Sequence, residues 1–282
     1  MKLFAYAKVN LFLDVVSSRN DGYHDILTVF QQVDLADEIV LSPLSEGIKI
    51  VCDHPDVPVD RKNLVWQAVD LVKEYCHLSD GIEIKIVKNI PVGGGLGGGS
   101  SDAAAVLMGL KRFWALGLSR EELLELGAKL GADVPFFVYG GRCLGEGKGE
   151  KLSVLSNQQF WLILVNPGFP VSTKTVYQSW DKNSFKLTKN RNLNKMSRSA
   201  SWQGSIRDVS VNFFNCLEEL VLADYPELKK VKQTMQGLGV KNVTLSGSGA
   251  AMFGWVEDKA VGEEAVKRLA AYPWQSWLVS SL

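Results

Sequence analysis

Residues 93–101 read GGGLGGGSS and lie between an apolar run ending at Ile90 and an apolar run beginning at Ala103. Each glycine in or beside a helix costs roughly 1 kcal/mol against alanine, so such a cluster needs a reason in the backbone itself. Anion binding supplies one. A helix N-terminus presents unpaired N–H groups and a partial positive charge. Glycines before it let the chain come close to a polyphosphate and aim their own N–H groups at it. A hinge or tight strand–helix turn would account for one glycine, and six followed by two serines ask for more. Pro91, Val92, Gly93, Gly94, Gly95, Leu96, Gly97, Gly98, Gly99, Ser100 and Ser101 are the predicted phosphate loop, the two serines adding hydroxyls. No lysine follows the last glycine, so this is not the P-loop pattern. A Rossmann fingerprint would open the fold and carry an acidic residue about 20 residues on. Here several strands come first, which favours a kinase over an oxidoreductase.

Lys8 and Asn10 are the next candidates, two residues apart on one face of an alternating segment. Asp133 follows a helix end and precedes Pro135, Phe136 and Phe137. A carboxylate with that apolar flank is costly without a cation, and Lys8 is the expected partner. Taken singly, Lys8 reads as an edge-strand lysine and Asp133 as a turn or cap aspartate, and the Lys-x-Asn pairing shifts the reading toward function. Tyr23 and His24 follow a glycine turn, where a lone histidine is most simply a surface group. Ser246–Gly249 is a second glycine-serine turn. Lys148, in GEGKGE, lacks a following helix and belongs to a solvated hairpin.

The elements that must position these residues follow from periodicity. Strands are expected over 3–16, 26–35, 37–44, 47–52 and 81–90. Helices are expected from Asn63 as N-cap to about Leu78, from about Ser101 to Trp114, and from a capping box at Ser119 and Glu122 to Leu130. From Ala132 the chain reads as loop and strand. A strand over 160–168 precedes a polar stretch, 181–210, read as a mobile excursion. Helices over 211–225 and 227–239, a strand over 243–256, a helix over 259–269 and a closing strand complete the chain. Strands and helices mix irregularly, giving an α+β class.

The bulk composition narrows the function. At 282 residues and 46% hydrophobic, the chain can bury a large core. Lys plus Arg equal Asp plus Glu at 31 each, which argues against a nucleic-acid partner. The basic stretch Lys182–Arg207 has few aromatics and reads as a linker. No apolar run reaches membrane-span length. Cys52, Cys76, Cys143 and Cys216 lack metal spacing and read as reduced thiols of a cytoplasmic protein. The N-terminal segment carries Lys8 inside its apolar stretch and reads as a first strand, not a signal peptide.

The segment PVGGGLGGGSSDAAA resembles the second motif of the GHMP kinases, AYAKVNLFLDV the first, and LSGSGAAMFG the third. AKVNLFL, RNDGYHDI, GGGLGGGSSDAA, GADVPFF and GEGKGE together resemble the 4-diphosphocytidyl-2-C-methyl-D-erythritol kinases within that superfamily. The resemblance runs almost end to end and is weakest over 181–210. It implies two domains, 1–155 with a ribosomal-protein-S5-like arrangement binding ATP and 156–282 contributing substrate contacts, with the active site in the cleft between them. It implies ATP with Mg²⁺, and phosphorylation of a 2-hydroxyl in the methylerythritol phosphate route to isoprenoids. By the same resemblance Asp133 takes or orients the hydroxyl proton, Lys8 stabilises charge beside it, and Asn10 holds the substrate. Tyr23 and Tyr177 would stack on cytosine, His24 would read its edge, and Thr173 would face the same base. The rivals are a homoserine or mevalonate kinase, which needs no aromatic clamp, and a nonenzymatic nucleotide-binding regulator, which would lack Lys8 or Asp133. Neither the metal ligands nor the oligomeric state follows from the sequence.

Overall fold

The computed structural model describes residues 1–188 and 213–282. The chain divides into two compact units that no single cut separates. One takes residues 1–8, 34–92 and 97–140, the other 9–33, 93–96 and 141–282. The strands β1 (Lys2–Ser18) and β2 (His24–Leu44) give residues to both. β2 is continuous where two strands were expected.

In the first unit the strand order is β3 (Ile48–Cys52), β4 (Gly81–Val87), β2, β1. β3 lies parallel to β4, and β2 lies antiparallel to it, with Glu38 opposite Val87. Ile82, Ile84 and Ile86 alternate along β4 and are fully buried, the period-two pattern of a strand with a core face. The helices are α1 (Leu64–Cys76), α2 (Gly98–Phe113), α3 (Arg120–Leu130) and α4 (Val134–Tyr139). Asn63 caps α1 by accepting from the Val65 N–H at 2.8 Å, and Ser119 with Glu122 closes both bonds of the capping box on α3. At Gly109 on α2 an added Cβ would fall 2.4 Å from a Leu3 methyl, so glycine lets the helix lie close to β1.

Two expectations are corrected in this unit. α2 begins at Gly98, earlier than the expected Ser101, because left-handed Gly97 (φ 73°) serves as its N-cap. The segment after Ala132 is a short helix, not loop and strand. Pro135 sits in its first turn, where a missing N–H costs nothing, and Val134, Phe136 and Phe137 are buried.

In the second unit the order is β8 (Phe214–Asn215), β1, β2, β5 (Arg142–Glu146), β6 (Lys151–Val154). β5 and β6 form the hairpin expected around Lys148, with Glu146 opposite Lys151. A separate antiparallel sheet has the order β11 (Gln275–Ser280), β7 (Trp161–Asn166), β10 (Met252–Val256), β9 (Lys241–Leu245). The helices α5 (Thr173–Thr188), α6 (Glu218–Asp224), α7 (Pro226–Gly237) and α8 (Lys259–Leu269) complete the unit. Its core gathers Ile163, Trp180, Leu217, Val231, Leu245 and Met252.

The expected strand over 243–256 is β9 and β10 with a turn at 246–251. The expected helix over 211–225 begins only at Glu218. Asn215 holds the chain extended before it, donating to the carbonyls of Leu245 and Gly247 and accepting from the Leu217 N–H. The excursion at 181–210 lies largely outside the described residues, although α5 carries its first part as helix.

Candidate active site

The phosphate loop contributes to both units, and each contribution has its own geometry. In the first unit, the first four N–H groups of an α-helix have no intrahelical acceptor. Ser101 N–H is already bonded to the Gly97 carbonyl at 2.8 Å, which leaves Gly98, Gly99 and Ser100 as the donors at the mouth of α2. Gly99 is exposed, and a Cβ there would meet only a Leu64 methyl at 4.0 Å. Glycine there leaves the space beside the mouth of α2 open. Ser101 differs from its expected role, since its buried hydroxyl donates to the Tyr6 carbonyl at 2.6 Å and ties α2 to β1. Pro91 and Val92 lead into the loop, Val92 on the surface.

Lys8 and Asp133 are brought together in this unit. Lys8 Nζ lies 3.6 Å from Asp133 Oδ2. The lysine side chain is 6% exposed and the aspartate 34%, so the carboxylate faces outward over a buried ammonium. Burial pushes Lys8 below its ordinary range, and Asp133 partly opposes that by charge and hydrogen bonding. Asp133 occupies the N-cap position of α4, yet its side chain makes no capping bond. Its geometry is that of a partner to Lys8. Gly97 adjoins both, for a Cβ on it would fall 2.7 Å from the Phe137 ring and 3.2 Å from Lys8 Cγ. The Lys8–Asp133 pair and the mouth of α2 are therefore neighbours.

In the second unit, Gly93–Leu96 rest on the third motif. Ser246 donates to the Gly95 carbonyl at 3.1 Å, and Ala251 N–H to the Gly94 carbonyl at 3.1 Å. A Cβ on Gly95 would fall 2.3 Å from the Ser246 carbonyl oxygen. The turn at 246–249 thus backs the loop, a role its sequence did not signal. Ser248 reaches Thr173, hydroxyl to hydroxyl, at 2.7 Å.

The same unit assembles the expected base-reading residues. The His24 and Tyr177 rings lie 4.8 Å apart at 38°. His24 is buried, and its Nε2 meets Asp181 Oδ1 at 2.7 Å. Asp181 accepts that bond and a second from Ser18, and these hold its carboxyl below the usual range. Tyr23 is 58% exposed, and Lys148 Nζ stands 4.7 Å over its ring. Asn10 is buried and donates to Thr28 Oγ1 at 2.8 Å, which donates on to the Phe12 carbonyl. Sequence reasoning missed Asp181 and the contact of Lys148 with Tyr23, because neither partner is close in the chain.

A buried ionic cluster was also missed. Lys88 bonds Asp37 and lies 2.7 Å from Asp102 Oδ2, with all three side chains nearly inaccessible. Burial pushes Asp102 up to about 7 against the pull of Lys88. Burial also works against the charge of Lys88, but its two carboxylates outweigh it and hold its pKa above the ordinary value.

Comparison with known proteins accords with this geometry. Residues 63–141 match the model of the GHMP kinases N-terminal domain and residues 186–273 that of the GHMP kinases C-terminal domain. The fold is that of a GHMP-type kinase, and the chain is a small-molecule kinase. Over 274 residues the chain is 41% identical to the 4-diphosphocytidyl-2-C-methyl-D-erythritol kinase of Caldicellulosiruptor bescii, covering 96% of this chain and 95% of that protein. It is 39% identical over 280 residues to the enzyme of the same name from Geotalea daltonii, covering 99% and 96%. A crystal structure of a 4-(cytidine 5'-diphospho)-2C-methyl-D-erythritol kinase superposes with a TM-score of 0.84 at 34% identity, covering 100% of this chain and 99% of that one. The mevalonate kinase of Methanococcus jannaschii shares the fold at a TM-score of 0.74 and 16% identity, covering 100% and 98%. The chain belongs to the 4-diphosphocytidyl-2-C-methyl-D-erythritol kinase family.

Proposed function

We propose that this kinase transfers the γ-phosphoryl group of ATP to the 2-hydroxyl of 4-diphosphocytidyl-2-C-methyl-D-erythritol, in the methylerythritol phosphate route. The observation that carries the reading is the adjacency of Lys8, Asp133 and Gly97 at the mouth of α2. Phosphoryl transfer needs chiefly positioning and charge stabilisation, and that adjacency offers both. The N–H groups of Gly98, Gly99 and Ser100 hold the phosphates. Asp133 accepts or aligns the proton of the attacking hydroxyl. Lys8 balances Asp133 and offers positive charge where the transferring group gathers negative charge. Asn10 holds the alcohol near the reacting hydroxyl.

Mg²⁺ accompanies ATP in this reading and supplies charge neutralisation to its phosphates. Among the described residues no group of three or more His, Cys, Asp or Glu could hold a metal ion. Mg²⁺ at nucleotide sites is commonly held by substrate phosphates, waters and one or two protein oxygens, which needs no such group. Nothing in the action of Asp133 or Lys8 is routed through it.

His24 supports the choice of cytosine. With Nε2 facing Asp181, Nδ1 is the ring nitrogen left to the base, and in the Nε2–H tautomer it is an acceptor. That suits the exocyclic amino group of cytosine and not the carbonyl of uracil. Tyr177, Tyr23 and Thr173 line the same base, Tyr23 with the face that Lys148 leaves uncovered. We place the enzyme in the cytoplasm as a non-membrane protein acting on small molecules; no helix of the described residues is long and apolar enough to cross a membrane.

The test is to follow ADP release from MgATP with a panel of alcohols. The cytidine-linked alcohol should be the preferred acceptor, ahead of its uridine analogue, with free homoserine and mevalonate far behind. Efficient use of a free alcohol would remove the cytidine assignment and leave a kinase of another substrate.

A further inference from the structure

The glycine loop poses a physical problem that the buried cluster answers. A chain of six glycines is free to adopt many conformations, and fixing each residue costs about 1–2 kcal/mol of conformational entropy. A cradle that must be ordered by its ligand spends binding energy on that ordering. The loop is tied on both sides within the first unit. Before it, Asp37 Oδ1 accepts from the N–H groups of Asn89 at 2.6 Å and Ile90 at 2.8 Å, and its other oxygen takes Lys88. The Lys88 N–H donates to Asp53 at 2.9 Å, and Asn89 Nδ2 to the Ala36 carbonyl at 2.9 Å. After the loop, the Lys88 ammonium reaches Asp102 in α2 at 2.7 Å. A Cβ on Gly98 would fall 3.2 Å from Lys88 Nζ, so the ammonium lies directly beside the first residue of the helix.

We propose that Asp102, acting through Lys88, is a positioning residue for ATP: the bond closes a clamp between the strand end at 88–90 and α2, and so presets the cradle of Gly98, Gly99 and Ser100. This rests on the reading of that loop as the phosphate site. Asp102 and Lys88 are too deeply buried to touch a ligand, so neither is a catalytic residue. The cluster is also a poor choice for stability alone. Two carboxylates share one ammonium, and Asp102 Oδ1 is buried without a hydrogen-bond partner. An apolar cluster of the same volume would avoid the cost of burying those charges. Alanine suits position 102 within α2 and leaves a balanced Asp37–Lys88 pair, so that variant is expected to fold.

The experiment measures ATP affinity by calorimetry, and kcat with both KM values, in Asp102→Ala, Asp102→Asn and Gly99→Val. Asp102→Ala should weaken ATP binding about tenfold. Its KM for the alcohol, and its kcat at saturating ATP, should change little. Asp102→Asn keeps an acceptor for Lys88 and should restore most of the affinity. Unchanged ATP affinity in Asp102→Ala overturns the inference, as does a loss that Asp102→Asn shares in full, or a fall in kcat alone. Gly99→Val separates the two readings. If it alone loses ATP, the cradle stands and the clamp fails; if it too binds normally, the cradle itself is wrong.

Discussion

Asp133 supplies the negative charge that opposes the burial of Lys8, so in the proposed mechanism the two act as one unit. Asp133→Asn should leave both substrates bound while lowering kcat by at least about 10²-fold, the low end for a positioned acid–base group. Lys8→Met should cost a similar factor, and the double variant should cost far less than the product of the two. Near-normal turnover in either single variant would make the pair structural. The Lys8 titration tests the coupling directly. Burial lowers its pKa from 10.5 and Asp133 raises it. Removing the carboxylate takes away the raising contribution, so the ammonium should lose its proton at a lower pH in Asp133→Asn than in the wild type. NMR of the Lys8 ε-carbon against pH reads this, and an unshifted or higher midpoint in the variant would mean the two do not interact.

At the scale of elements, α2 decides which glycines are informative. Gly97 is left-handed, and a side chain there would run into Phe137 and Lys8. Gly97→Val should therefore lower the melting temperature as well as ATP affinity, and it says little about phosphate. Gly99 has helical backbone and open space. Gly99→Val should keep its melting temperature within a few degrees and still lose ATP affinity, because the β-branched side chain would stand in the path of the phosphates. Thermal unfolding with and without ADP distinguishes them. A Gly99→Val protein that ADP stabilises as well as the wild type would count against the cradle.

For the whole molecule, the residues proposed for the nucleotide and for the substrate base fall to different compact units. Lys8, Asp133 and Gly98–Ser100 belong to one compact unit, and Asn10, Tyr23, His24, Thr173 and Tyr177 to the other. Substitutions should separate accordingly. Tyr23→Ala should raise KM for the cytidine-linked alcohol by the equivalent of roughly 1–3 kcal/mol, as loss of a base-stacking ring does, while KM for ATP stays nearly constant. Asp181→Asn should erode the preference for cytidine over uridine, since the tautomer of His24 would no longer be fixed by a carboxylate. Steady-state kinetics with both nucleotide-linked alcohols decides it; a Tyr23→Ala enzyme impaired toward ATP would break the division of labour.

Much of this was written locally. The glycine loop before an apolar helix, the capping box at Ser119 and Glu122, the Asn63 cap and the hairpin around Lys148 each rest on contacts a few residues apart. For those, residue type and spacing suffice. The family resemblance named Lys8, Asp133 and His24 for the same reason, through short motifs. Choice of partner was not local. Asp133 faces Lys8 instead of capping α4, the Ser101 hydroxyl serves Tyr6 instead of the loop mouth, Asp181 holds His24, and Lys88 gathers Asp37 and Asp102. Tertiary packing decided these, because burial makes an unpaired charge or hydroxyl costly and so forces each one onto whatever polar group the fold carries to it.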